Sequence, residues 1–203
     1  MHRDPMLKES PSQTAGPYVH IGCLPNLCGI DGVYPEDLGA RMYADGVRGQ
    51  KITVRGRILD GTGSVVRDAL VEVWQADAEG RMPGGDPRGP ADPAFAGFVR
   101  RAADPETGDW TFDTVKPGRV PWPDGRLQAP HATLWIVARG INLGLHTRMY
   151  FADEDAANDT DPVLARIEHR GRVATLLAQP EGPDAYRFDI RLQGPDETVF
   201  FDV

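Results

Sequence analysis

The chain predicts an all-β fold, a β-sandwich, and three observations carry that reading. Short stretches such as K-I-T-V-R-G-R-I-L-D and A-L-V-E-V-W-Q-A-D alternate apolar with other residues, which lays one face of each strand on a core. Clusters rich in Gly, Pro and Asp, such as D-G-T-G-S and D-P-E-T-G-D, separate these stretches as turns. Only one segment opens with a helix-start signal, Asp161-Pro162 ahead of V-L-A-R-I-E-H.

Taken in order, residues 1–50 form an irregular arm with Gly or Pro every few residues. Such a segment cannot satisfy its backbone within itself. Its apolar and aromatic residues Tyr18, Val19, Ile21, Leu24, Tyr34 and Leu38 favour an arm laid across another surface over a disordered tail. Residues 51–203 form the β-sandwich core domain. Ile52 and Val54 share a face of the first strand. In the second, Val71 and Val73 with Gln75 make a mostly apolar face against a mixed one of Leu70, Glu72 and Trp74. R-M-P-G-G-D-P-R-G-P-A-D-P is a long loop. F-A-G-F-V-R-R, W-T-F-D-T-V, H-T-R-M-Y-F-A, Y-R-F-D-I-R-L and T-V-F-F-D-V are the further strands. The helix sets Val163, Leu164 and Ile167 on one side, and Val173–Leu177 continues it or forms a short separate piece.

Bulk properties exclude several functions. A net charge of −8 argues against a nucleic-acid surface, which needs clustered Lys and Arg. No apolar run approaches the roughly 20 residues of a membrane span. The opening M-H-R-D-P-M-L-K-E-S lacks an apolar export segment, so a cytoplasmic protein is expected. Cys23 and Cys28 are expected to be ordinary reduced thiols, because a zinc site would need two more ligands. The four tryptophans are expected to be core or interface anchors, and Asp104, Glu106 and Asp109 a solvated turn rather than a calcium loop.

Chemistry concentrates between Val115 and Gly140, where a loop rich in Pro and Gly joins two strands. It offers His131, Trp122, Arg119, Arg126 and Arg139, with Asp124 as its only acid. Thr133 stands two residues after the histidine, where a second ligand on the same face would be. A lone histidine in this setting reads as a structural one.

The motifs W-Q-A-D-A-E-G-R, G-D-W-T-F-D-T-V-K-P-G, P-W-P and A-P-H, in this order, resemble those of the intradiol ring-cleavage dioxygenases. The likeness extends to T-A-G-P-Y and to A-R-G-I-N-L-G-L-H-T-R-M-Y-F, and so covers most of the chain. It implies a ferric site of two tyrosines and two histidines, whose positions here carry Met82, Val120, His131 and Thr133. Three of the four ligands are therefore missing. A thioether and a valine cannot replace the hard phenolates that ferric iron requires, so this chain is expected to bind no metal and to contain no catalytic residue.

The resemblance then implies a non-iron alpha subunit beside a beta subunit that carries Fe(III), assembled as higher-order αβ protomers. The arm would pack on that partner. Thr14, Gly16, Pro17 and Tyr18 would help wall its active site, and Arg139 would face the substrate entrance. The implied reaction opens 3,4-dihydroxybenzoate with O2 between its hydroxyl-bearing carbons, giving 3-carboxy-cis,cis-muconate. One alternative is a stand-alone β-sandwich binding module that has lost the enzyme activity. Another is an iron enzyme with relocated ligands among Tyr18, Tyr34, Tyr43, Tyr150 and Tyr186.

Overall fold

Alternation along the strands decides which face is buried, and nine strands result among the residues described. A computed structural model describes residues 13–202; the export reading of residues 1–10 lies outside them. The strands are β1 (Lys51–Leu59), β2 (Leu70–Gln75), β3 (Phe98–Ala102), β4 (Asp109–Val115), β5 (His131–Val137), β6 (Leu145–Phe151), β7 (Leu177–Gly182), β8 (Ala185–Arg187) and β9 (Ile190–Arg191).

They hydrogen-bond in the order β3-β2-β5-β6-β7-β8-β1-β4, with β9 beside β1. The first four make one layer and the rest the other. Strand β7 joins them, running parallel to β6 and antiparallel to β8, with a register shift between Pro180 and Gly182. The expected β-sandwich is the observed architecture.

Ile52, Val54 and Ile58 of β1 and Trp110 and Phe112 of β4 meet Val71, Val73, Leu134, Ile136 and Met149 from the facing layer. Full burial of each such side chain contributes about 2 kcal/mol. Gln75 crosses the interior, and its Nε2 donates to the Val115 carbonyl at 2.9 Å, tying β2 to β4. Gly56 is required by close approach, since a Cβ there would overlap the Phe188 carbonyl oxygen and the Trp110 ring.

A smaller core of Tyr150, Leu164, Leu176 and Ala129 lies outside the β5–β6 layer. Short segments cover it, and here the structure departs from the expected elements. The helix expected after Asp161-Pro162 is only one 3-10 turn, Leu164–Arg166, ended by extended backbone at Ile167. Val173–Leu177 does not continue it and forms the separate piece that was the other reading: Val173 to Leu176 lie in a 3-10 segment, Arg170–Leu176, and Leu177 opens β7.

Of the final T-V-F-F-D-V, the described residues 198–202 form no strand. Their amides reach scattered partners, Thr198 donating to the Arg191 carbonyl and Phe201 to that of His146. They act as a strap over the small core rather than as members of a ladder. Two short helices stand where none was expected, α1 (Tyr18–Cys23) and α2 (Asp155–Asn158).

The later part of residues 13–50 enters this chain's own core through Met42 and Val47, and Leu24 is also buried. Other residues of this stretch stay outside: Tyr18 is 82 % exposed and Leu38 53 %. Helix α1 buries none of its residues. Cys23 and Cys28 are free thiols. Among the described residues no helix is long and apolar enough to cross a membrane.

Candidate functional site

Strand β5 organises the residues singled out by the sequence, and it separates them into two groups. His131 and Thr133 lie at its start, whereas Arg139 follows its end. Six residues of extended chain hold His131 and Val137 roughly 20 Å apart.

At the His131 end, the motif W-Q-A-D is scaffolding. Asp77 is buried; its Oδ1 accepts from the amides of Glu79 and Arg81, and its Oδ2 from that of Asp92. The Gly118 amide donates to the Asp77 carbonyl at 2.8 Å. Gly80 adopts φ +76°, and a Cβ there would overlap the Arg119 carbonyl. Only glycine allows these two loops to close on each other. They carry Met82, which is exposed, and Val120, whose carbonyl accepts from the Gln128 amide at 2.8 Å.

Asp161 fixes the A-P-H segment. It is fully buried, and its Oδ2 accepts from the Ala129 amide at 2.7 Å. Its Oδ1 accepts from the amides of Val163 and Leu164, both at 2.8 Å. The residue read as a helix start therefore also positions the loop beside His131. His131 Nδ1 meets the Ala129 carbonyl at 2.8 Å, which assigns the proton to Nδ1. Burial, helped by the charge of Arg148, pushes the His131 pKa down to about 4. The imidazole is neutral, with its Nδ1 paired to a backbone carbonyl.

Arg148 is the residue that sequence reasoning missed. It stands opposite Thr133 across the β5–β6 ladder. Its Nη1 donates to Gln128 Oε1 at 2.7 Å and to the Tyr150 hydroxyl at 3.4 Å. No spacing in the chain marks it, because it is made a neighbour of Thr133 only by strand register. A fixed guanidinium beside His131 is unfavourable for a trivalent cation, and Met82, Val120 and Thr133 supply no anionic donor. The residues present do not fit ferric iron. Relocated phenolate ligands fare no better: burial raises the Tyr150 pKa, disfavouring its anion, and Tyr186 donates to Asp153 at 2.8 Å. Among the described residues no group of three or more His, Cys, Asp or Glu could hold a metal ion.

The other end of β5 gathers a different set. Thr14 bridges Asn142, its hydroxyl donates to the Ala138 carbonyl at 3.3 Å, and it accepts from the Gly140 amide at 2.9 Å. The arm therefore clasps the turn that bears Arg139. That side chain is 80 % exposed, with Asp68 at 3.6 Å. In the same turn Leu143 adopts φ +60°, uncommon for a bulky side chain. Gly16 and Pro17 lead into α1, and the Gly16 carbonyl accepts from the Val19 amide at 3.0 Å. Thr14 and Arg139 are thus brought together, whereas neither of them is brought to His131.

The dioxygenase family model matches residues 34–194. The protocatechuate 3,4-dioxygenase alpha chain of Pseudomonas putida is 46 % identical over 200 residues, covering 97 % of this chain and 98 % of that one. The protocatechuate 3,4-dioxygenase beta chain of Burkholderia cepacia is 35 % identical over 159 residues, covering 74 % and 67 %. In fold, the chain is similar to 3-chlorocatechol 1,2-dioxygenase from Rhodococcus opacus 1CP, with a TM-score of 0.57 at 20 % identity over 80 % of this chain and 68 % of that one.

Proposed function

The chain belongs to the intradiol ring-cleavage dioxygenases, and on that premise we propose that it is the iron-free alpha subunit of a heteromeric, cytoplasmic protocatechuate 3,4-dioxygenase. One observation carries the reading. Thr14 and Arg139 converge roughly 20 Å along β5 from this chain's own His131, so a part for them in catalysis requires a pocket on another chain. The beta subunit would hold the ferric iron, whose chemistry activates the catecholate for O2. This chain's own residues would bind and orient.

Gly16 and Pro17 would hold the arm's backbone against the partner, with Tyr18 packing beside its active site. Arg139 would attract the anionic substrate, 3,4-dihydroxybenzoate, through charge-assisted contact. Its ion pair with Asp68 is long and exposed, and such a pair is weak enough to exchange for a ligand carboxylate.

The test uses the chain alone and co-expressed with its beta partner, with iron content, visible absorption and O2 uptake on 3,4-dihydroxybenzoate measured for each. A colourless, inactive chain that joins a coloured, active complex is the expected result. Stoichiometric iron and activity in the lone chain would refute the assignment. For Arg139→Ala in the complex, KM should rise more than kcat falls. If wild type and variant lose the same factor when the substrate lacks its carboxylate, Arg139 does not read that group.

A further inference from the structure

Arg139 sits at the corner of a tight turn that is anchored from below. The Ile141 amide donates to the Ala138 carbonyl at 3.2 Å, which makes Arg139 and Gly140 the two central residues. Ala138 and Ile141, on either side of them, are buried in the main core. Nothing comparable fixes the guanidinium. It is exposed, and among the described residues its one carboxylate partner is Asp68 at 3.6 Å. Its direction is therefore set by the backbone that carries it.

Turns of this kind take two forms that differ by a flip of the peptide joining the central residues. Gly140 has φ +89°, the sign that the type II form requires at its position, and a glycine reaches either sign freely. The N–H of that joining peptide belongs to Gly140, and it donates to Thr14 Oγ1 at 2.9 Å. The same hydroxyl donates to the Ala138 carbonyl at 3.3 Å. One side chain thus grips the turn on both sides of Arg139. The adjoining backbone closes the contact, with the Leu143 amide donating to the Gln13 carbonyl at 2.6 Å and Thr14 bridging Asn142. A threonine hydroxyl has a single proton to give, and here it is spent within this chain.

We propose that Thr14 is a positioning residue for Arg139, its hydroxyl latching the turn in the form that aims the guanidinium at the substrate entrance. Thr14 has this part only if Arg139 faces that entrance as proposed above, and the latch adds how the aim is kept. A flipped peptide turns the Gly140 N–H away from Thr14 and swings the chain at Arg139, so the hydrogen bond and the aim are lost together.

The test uses the assembled complex and its steady-state turnover of 3,4-dihydroxybenzoate. Thr14→Val removes the hydroxyl at similar shape, Thr14→Ser keeps it, and Thr14→Val is also combined with Arg139→Ala. Thr14→Val should raise KM about three- to tenfold, the effect of one or two such hydrogen bonds, and leave kcat within about twofold. Thr14→Ser should stay near wild type. In the Arg139→Ala background Thr14→Val should raise KM no further. An undiminished effect there would show Thr14 acting without Arg139 and overturn the proposal, as would a wild-type KM for Thr14→Val. Hydrogen exchange at the Gly140 amide reads the latch apart from activity. It should quicken about tenfold in Thr14→Val but not in Thr14→Ser, and unchanged protection would overturn the latch itself. A wild-type KM for Arg139→Ala beside quickened exchange would strike the entrance role of Arg139 instead, and reduce the latch to a structural tie.

Discussion

Asp161→Ala should be among the most damaging single changes in this chain. The carboxylate is fully buried and accepts from three backbone amides, at 2.7 Å from Ala129 and 2.8 Å from both Val163 and Leu164. All three residues are themselves buried. Each amide left unpaired costs about 1–3 kcal/mol. Relaxation and water entry recover part, so the expected loss is about 3–5 kcal/mol, at or above the upper end of ordinary point mutations. Asp161→Asn keeps one acceptor oxygen and should fall between wild type and alanine, at about 2 kcal/mol.

Urea unfolding followed by tryptophan fluorescence measures both, with the midpoint shift at unchanged slope giving the difference. A loss below about 1 kcal/mol for alanine would show that the three bonds contribute little beyond what water supplies. An asparagine variant weaker than alanine would refute the acceptor argument itself, since the amide retains an oxygen that alanine lacks.

Three further outcomes are expected. The His131 pKa is lowered from 6.5 to about 4, so its contribution is present above pH 6.5 and lost as pH falls through 4. The loss reaches about 3 kcal/mol, and His131→Gln should flatten that limb of the pH–stability curve; an unchanged slope would remove His131 as its source. Gly56→Ala should destabilise by at least about 3 kcal/mol or prevent folding, because its methyl meets the Phe188 carbonyl and the Trp110 ring; a wild-type melting temperature would contradict this. Tyr18→Ala should leave this chain's own unfolding within about 0.5 kcal/mol, since the ring is exposed. It should weaken association with a beta chain about tenfold by sedimentation or calorimetry, and unchanged assembly would take Tyr18 out of the interface.

Legibility in the sequence followed the reach of each interaction. Strands β1, β2 and β5 could be read because their alternation is local, as with Ile52, Val54 and Ile58. Strand β7 could not: L-A-Q-P-E-G has no alternation, and Pro180 and Gly182 sit where pairing passes from one layer to the other. The expected helix stopped after one turn because Asp161 divides its oxygens between that turn and Ala129, and because Ile167 turns extended. At the site, the reading of Met82, Val120 and Thr133 as former ligand positions was available from motif order alone. The guanidinium beside them was not, since Arg148 meets Thr133 only through a ladder formed after folding.

The placement of β1 bears on synthesis. Its first half pairs with β8, Thr53 opposite Ala185, and its second half with β9, Ile58 opposite Ile190. At ribosomal speeds of ~10 residues per second, those partners emerge roughly ten seconds or more after β1 itself. Meanwhile β2, β3, β5 and β6 can pair among themselves, giving a half-built layer whose Val73 and Leu134 still face water. A nascent chain in that state is a natural client for a holding chaperone, and closure waits on β8 and β9.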